Sequence, residues 1–523
     1  MNGTRLTPKP FGFIQARLSS TRLSGKILEC IPKTNGPTLL DHIYLRLRKV
    51  IPSEQIVFLI PEGEKRLSNF LMERGYQFFI GSMENVRDRY IKAAEFYKAK
   101  DIIRLTGDNP FIDVTSIELL WEAMFYVKNP NYCLSIQGLP LGMGVECFSY
   151  SALVKNIDKY NELRHREHVS LHIKEDLDDN AVYRLRPPHL TEDELANTSK
   201  IRMTIDEDLD LQVMRDVWNQ ISNSNPFFEA KDVIRLYNSA PKLFETNQPV
   251  SQIQFDLPKE ITTKKRISLT YGDPKVFGSG HFERCKSLSI EIQMNGFEVH
   301  SNPSEMIDFD GYIVDARETK PSGFPALAID NLALSEDRIV SVNFLPHPNL
   351  ENQNKNELSF YSSPMIEIFK SKSYKPGHWL VYAGSLEQSI CEKLDEYLLH
   401  QLQSKWQVDA WTRVGGSLPK SNLIKYIPRL TKYEYFEILS QSDGFISYFG
   451  QSIMESLYLG KKTALFGMTD IHTKLGIYFA KKANLIYLGE PGNFLQPLLP
   501  PAKIKFNIQR NAQQQIIKWL ETL

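Results

Sequence analysis

Three segments of the first 211 residues concentrate side chains able to handle a polyphosphate. Residues 13–26 read FIQARLSSTRLSGK: an apolar run, then Arg17, Arg22 and Lys26 separated by Ser19, Ser20, Thr21 and Gly25. Guanidinium forks take phosphate oxygens two at a time, and small residues let backbone N–H groups approach an anion. The P-loop pattern GxxxxGK[ST] is absent, and a solvated basic loop has the same composition. Residues 104–113 (RLTGDNPFID) put Asp108 at the tip of an apolar run, and residues 202–211 (RMTIDEDLDL) put Asp206 in a similar place. One carboxylate from each of two strand ends is a common way to hold Mg²⁺ against phosphate oxygens. Taken singly, each Asp reads more readily as a helix N-cap than as a metal ligand; the pair acquires meaning only beside the basic loop. A fourth segment, residues 270–285 (TYGDPKVFGSGHFERC), places Gly278, Ser279 and Gly280 before His281 and a helical stretch. A glycine-rich loop at a helix start suits an anion or a sugar diphosphate, and a histidine there can act as a general base. A histidine that caps or packs the loop gives the same pattern.

These residues need strands and helices to position them. Residues 11–15, 55–60 and 101–105 read as buried strands, and residues 39–50 and 90–98 as amphipathic helices. Such alternation predicts a mainly parallel α/β sheet. Residues 245–265 are polar, with Pro249, Pro258 and a basic run, and read as a linker or as a long surface loop. The strand pattern restarts at 267–270 and favours a domain boundary. Beyond it, residues 312–315, 326–330, 379–383, 444–448 and 463–466 read as strands and residues 385–403 as a helix. The expected organisation is therefore a domain over 1–244, a linker over 245–265, and two α/β lobes over 266–370 and 371–523.

Composition limits the function classes. The 523 residues carry 62 Lys+Arg and 62 Asp+Glu, a formal charge of zero that argues against a nucleic-acid partner while leaving room for a local basic pocket. Hydrophobic residues at 42% and charged residues at 24% describe an ordinary globular chain. The 5 cysteines lack CxxC spacing, which speaks against a disulfide framework and a zinc site. No apolar run reaches about 18 residues, so no membrane span is expected. The polar first ten residues do not read as a signal peptide, and the cytoplasm is the expected address.

The loop ARLSSTRLSGK resembles the signature A-R-x-x-S-x-R-L-x-x-K of the cytidylyltransferases that activate acidic sugars as CMP conjugates, including their spore-coat-polysaccharide branch. The matching positions are Ala16, Arg17, Ser20, Arg22, Leu23 and Lys26. Residues 81–90 (GSMENVRDRY), 106–110 (TGDNP), 140–148 (PLGMGVECF), 166–169 (REHV) and 204–210 (TIDEDLD) continue the resemblance in family order. It implies a Rossmann-like nucleotidyltransferase domain in which Arg17, Ser20, Arg22 and Lys26 grip CTP, with Arg22 and Lys26 acting at the reacting phosphate. Asp108 and Asp206 would hold Mg²⁺, and Glu146, Arg166 and His168 would lie on the side of an acidic sugar. A homodimer through this domain is compatible with it. Ser24 replaces a proline common in the signature, and residues 206–210 lack another.

The segment G-x-G-H-x-x-R-C resembles the UDP-sugar hydrolases of the pseudaminic acid pathway, which have two lobes of the GT-B type. Residues 313–315, 329–333, 382–385 and 443–460 (DGFISYFGQSIMESLYLG) add to the likeness, the last through Gly450, Ser452 and Glu455. This resemblance implies that His281 activates water, that Gly278 and Gly280 face the diphosphate, and that Gly384, Ser385, Gly450, Ser452 and Glu455 bind the nucleotide, Glu455 at the ribose. Asp315 and Asp330 would orient donors near His281. Residues 272–274, 383–385 and 471–472 depart from the hydrolase pattern. Together the halves predict a bifunctional enzyme of acidic-sugar glycan assembly. The alternatives are a cytidylyltransferase joined to a GT-B glycosyltransferase or to a nucleotide-sugar binding domain without turnover.

Overall fold

The fold is taken from a computed structural model that describes residues 9–19, 23, 25–248, 250, 264–272, 279–304, 308–316, 319–331, 338–348, 357–496, 499–503 and 507–523. By contact density the chain forms two units, residues 1–264 with 293–304 and residues 265–292 with 305–523.

The first unit is built on seven strands: β1 (Phe11–Gln15), β2 (Ile56–Pro61), β3 (Gln77–Gly81), β4 (Asp101–Thr106), β5 (Tyr132–Ile136), β6 (Glu146–Ser149) and β7 (Ala181–Leu185), in spatial order β3-β2-β1-β4-β6-β5-β7. Only β6 runs antiparallel to its neighbours. Strand order reverses direction between β1 and β4, and the crevice beyond such a reversal is where open α/β sheets bind ligands. Helices α1 (Leu39–Leu47), α2 (Lys65–Glu73), α3 (Val86–Tyr97) and α4 (Val114–Met124) alternate with the first strands. β2 is buried at every position, as a strand covered on both faces must be. One face carries Phe13, Val57, Leu59, Tyr90, Ala93 and Phe148 in a single apolar cluster.

The expected elements form, with shifted ends. Helix α1 stops at Leu47 because Val50 and Ile51 N–H turn back onto the Leu47 carbonyl. Its start is fixed by a capping box between Thr38 and Asp41. Helix α3 begins four residues before Tyr90, where the Asn85 side chain accepts the Asp88 N–H. Residues 201–205, strand-like in sequence, make a single bridge between Arg202 and Leu141 instead of a strand.

In the second unit, strands Ile339–Val342, Ala326–Ile329, Gly311–Asp315 and Arg266–Tyr271 are neighbours in that order, all parallel. A further parallel sheet is ordered Ile424–Ile427, Ala410–Gly415, Lys375–Gly384, Ser442–Tyr448, Lys462–Phe466, Ile486–Tyr487. In chain order this is 3-2-1-4-5-6, the dinucleotide-fold order, and its reversal lies between Lys375–Gly384 and Ser442–Tyr448. The helix expected over 385–403 starts later. Leu386 N–H closes a turn onto Ala383, so Gln388–Tyr397 is the first helical run, followed by a π turn at Leu398–Leu402 and a last turn at Gln403–Trp406. Its buried side Cys391, Leu394, Leu398, Leu402 and Trp406 shares a core with Trp379 and Trp411.

Gly444 lies against the Trp379 ring so closely that a Cβ would fall 2.4 Å from it. Gly444→Ala is expected to cost about 1–3 kcal/mol through overpacking. Denaturant unfolding followed by tryptophan fluorescence checks this.

Candidate active site

Strands β1 and β4 end side by side, with Gln15 in register with Thr106. Gly107 N–H then bonds the Gln15 carbonyl at 2.9 Å, which closes the two strand tips together. Beyond them, the chain from residue 201 to 205 folds back on the tip of β4. Met203 N–H donates to Leu141 O at 2.7 Å, and Ile205 N–H donates to Asp108 O at 3.0 Å. Gly142 makes this approach possible: it has φ 89°, and a Cβ there would meet the Met203 carbonyl carbon at 2.6 Å.

The result is a charged centre. The Lys26 ammonium, almost fully buried, lies 3.5 Å from Asp108 Oδ2 and 3.4 Å from Asp206 Oδ1 and donates to the Ile205 carbonyl at 2.5 Å. Lys26 opens a short 3₁₀ turn after Gly25, at φ 72°. The second oxygen of each carboxylate is also held: Thr106 Oγ1 donates to Asp108 Oδ1 at 2.6 Å, and Arg202 Nη2 to Asp206 Oδ2 at 2.6 Å. Arg202 is itself anchored by the fully buried Asp210, which also accepts the N–H groups of Asp206 and Glu207. Lys26, Asp108 and Asp206 are thus brought together from three distant parts of the chain. Arg17 is exposed at the loop start, while Ser20 and Arg22 lie outside the described residues. The amides next to Arg17 already hold an anion: Leu18 N–H donates to both oxygens of Glu64, and Ser19 N–H to one of them.

A family model described as cytidylyltransferase matches residues 11–250. An uncharacterised protein of Methanocaldococcus jannaschii is 30% identical over 247 residues, which are 47% of this chain and 96% of that protein. The chain belongs to the cytidylyltransferase family. The spore coat polysaccharide biosynthesis protein SpsF of Bacillus subtilis is 31% identical over 236 residues, 44% of this chain and 93% of its own. A solved cytidylyltransferase of Leptospira borgpetersenii is 26% identical, covers 47% of this chain and 99% of its own, and superposes with a TM-score of 0.40.

In this cytidylyltransferase a second polar cluster adjoins the carboxylate pair. Glu146 on β6 bonds Arg104 Nη1 at 3.3 Å and Ser170 Oγ at 2.6 Å through Oε2, and Lys174 Nζ through Oε1. Burial alone would raise its pKa; the Lys174 and Arg104 charges outweigh burial and bring it down to about 2. Glu146 is therefore a counter-ion, with no proton to exchange near neutral pH. Arg166 lies elsewhere, bonded to Asn161 at 3.0 Å, and His168 is half-buried with a pKa lowered by burial. Arg104 carries a readable signal, a lone cation inside an apolar strand. Lys174, Glu64 and Arg202 carry none, because their roles depend on partners 28 to 46 residues away or on a backbone bridge.

The second unit holds its own constellation. His281, in the first turn of helix Ser279–Met294, has Nδ1 2.6 Å from Asp315 Oδ1 at the end of Gly311–Asp315. Arg284, one turn on, donates to both oxygens of Asp315 and, through Nη1, to Asp330 at 2.6 Å. Burial opposes the Asp315 charge, but Arg284 and His281 hold its carboxyl far below the usual range. A carboxylate at 2.6 Å puts the imidazole proton on Nδ1, so Nε2 presents its lone pair. Gly280 is exposed on the same turn, and Gly278 lies outside the described residues.

Gly384 and exposed Ser385 end strand Lys375–Gly384, while Gly450 and Ser452 open helix Gln451–Tyr458 after Ser442–Tyr448. These two loops flank the strand-order reversal. Glu455 is buried, and its Oε1 accepts from Ser362 Oγ at 2.7 Å and Gln451 Nε2 at 2.9 Å. Burial raises its pKa against those bonds. Among the described residues no group of three or more His, Cys, Asp or Glu side chains could hold a metal ion, and no helix is long and apolar enough to cross a membrane.

Glu146 titrates at about 2 in the fold, against an ordinary value of 4.5. Its stabilisation is complete above pH 4.5 and is lost as pH falls toward 2. Thermal melts of Glu146→Gln between pH 6 and pH 2 should lose less stability over that interval than the wild type.

Proposed function

We propose that the first unit transfers CMP from CTP to a hydroxyl of an acidic sugar, with Mg²⁺, in the assembly of a surface glycan. The observation that carries this reading is the convergence of Asp108 and Asp206 on Lys26 beyond the β1/β4 reversal. Two hard carboxylates aimed at one buried cation suit a divalent ion, so the donor set fits Mg²⁺. Bound there, Mg²⁺ would neutralise phosphate oxygens and favour departure of pyrophosphate. Lys26 would exchange its carboxylate contacts for phosphate oxygens, and Arg17, Ser20 and Arg22 would complete the grip. The acceptor oxygen attacks the α-phosphorus, a P–O bond forms to the sugar, the α–β bridging bond breaks, and the hydroxyl proton leaves to solvent. Catalysis is then positioning plus charge neutralisation. The similarity to SpsF, a spore coat polysaccharide biosynthesis protein, supports a polysaccharide setting.

For the second unit we propose UDP-sugar hydrolysis. His281 Nε2 takes a proton from water, the water oxygen bonds the anomeric carbon, and the bond from that carbon to UDP breaks. The His281–Asp315 contact favours this over a binding domain without turnover, since it prepares a base. Gly384, Ser385, Gly450 and Ser452, on both sides of the reversal, would take the nucleotide. A GT-B glycosyltransferase would use the same base on a sugar acceptor.

Full-length protein should release pyrophosphate from CTP and Mg²⁺ with a sugar acid. Lys26→Ala and Asp108→Ala should each lower kcat/KM by about 10²–10³ without altering UDP release. His281→Asn should abolish UDP release from UDP-sugars in water and leave pyrophosphate release intact. UDP release only when an acceptor sugar is added would favour the glycosyltransferase.

A further inference from the structure

Glu64 grips the entry of the basic loop from a different strand. It follows β2 and directly precedes helix α2, yet its side chain caps no N–H of that helix. It reaches instead to the chain leaving β1. Leu18 N–H lies 2.8 and 2.7 Å from its two carboxylate oxygens, and Ser19 N–H and Oγ donate to Oε1 at 3.2 and 3.3 Å. Just before them, Ala16 N–H donates to the Leu59 carbonyl on β2 at 3.1 Å. Buried Arg89 donates to that same carbonyl at 3.2 Å. Residues 16, 18 and 19 are therefore pinned on the β2 flank, while Arg17 among them stays exposed. The exit of the loop is tied to its entry: Leu18 O accepts the Gly25 N–H at 3.0 Å, and Lys26 follows at once. Lys26 is held by Asp108, at the tip of β4, and by Asp206.

Strands β2 and β4 flank β1 on opposite sides. The loop is thus staked by a carboxylate on one flank and by an ammonium on the other. Glu64 also offsets neighbouring guanidiniums: burial and the Arg17 charge lower the pKa of Arg89, while Tyr90 and Glu64 oppose that shift. A basic loop free at its entry would spread over many conformations, and affinity for a polyphosphate falls with the fraction that is competent to bind. We propose that Glu64 is a positioning residue: by holding the Leu18 and Ser19 amides it fixes the loop entry, so that Arg17 and Lys26 are set for the phosphates of CTP. This inference rests on the cytidylyl-transfer reading of the first unit and adds the residue that shapes its nucleotide loop. The sign of the effect separates it from plain electrostatics. A carboxylate near a triphosphate repels it, so by charge alone its removal would tighten CTP binding.

The test uses the full chain with CTP and Mg²⁺ and needs no acceptor. Calorimetry gives the Kd of CTP for the wild type, Glu64→Gln and Glu64→Ala. Glu64→Ala should raise it about ten- to hundredfold, the range of one charge-assisted hydrogen bond. Glu64→Gln keeps the length and one acceptor oxygen, so its Kd should lie between those of the wild type and Glu64→Ala. Hydrogen exchange should quicken at Leu18 and Ser19 in Glu64→Ala and stay slow in β1 and β4, and melting curves check that both variants fold. Tighter binding of CTP by Glu64→Ala would make the carboxylate a competitor of phosphate and overturn the inference. An unchanged Kd, or faster exchange throughout β1 and β4 in both variants, would overturn it as well. In each of these results cytidylyl transfer stands. If the wild type itself binds no CTP, the cytidylyl-transfer reading falls and takes the inference with it.

Discussion

A backbone hydrogen bond from Ile205 to the Asp108 carbonyl is the constraint on which the first centre depends. It joins chain segments almost a hundred residues apart and sets Asp206 beside Asp108. Leu141 supplies the second anchor, and Gly142 leaves the space for it. A long loop closure of this kind has a modest entropic cost, which grows only with the logarithm of its length. Once closed, it gives Lys26 two carboxylates and a carbonyl to bind at once. An unpaired buried ammonium would otherwise be expelled or neutralised.

The same electrostatic logic recurs at increasing remove from this centre. Arg202 fixes Asp206, and Asp210 fixes Arg202 while also capping the helix Asp208–Ile221. Each buried charge is matched by a neighbour, so that geometry at the reacting end is set by groups that never meet a substrate. In the second unit Arg284 does this for Asp315, and Asp315 for His281. In the first unit Glu146 likewise holds Arg104 and Lys174.

Much of this was legible in the residue pattern. The strands β1, β2 and β4 are apolar runs that can only be buried, and Gly444 and Thr463 sit within equally clear strands of the second unit. Element ends were less legible, because caps such as Asn85 and turns such as that at Leu47 are settled by single hydrogen bonds. Residues 201–205 have a strand's composition, but they cross the tip of β4 and bond Leu141 and Asp108 instead of pairing along a strand.

Residue pattern alone establishes an α/β chain, a basic loop at one strand end, an aspartate at the end of another, a second aspartate after an apolar run, and a histidine at a helix start. These follow from local apolar periodicity and residue type, which neighbours along the chain are enough to establish. It takes the folded chain to bring Lys26, Asp108 and Asp206 together, to make Glu146 a counter-ion, and to have Arg104 and Lys174 share it. The fold also decides that Asp315 sets the tautomer of His281. Charge balance is a property of distances in space, and residues 28 to 180 positions apart acquire those distances only when the sheets close.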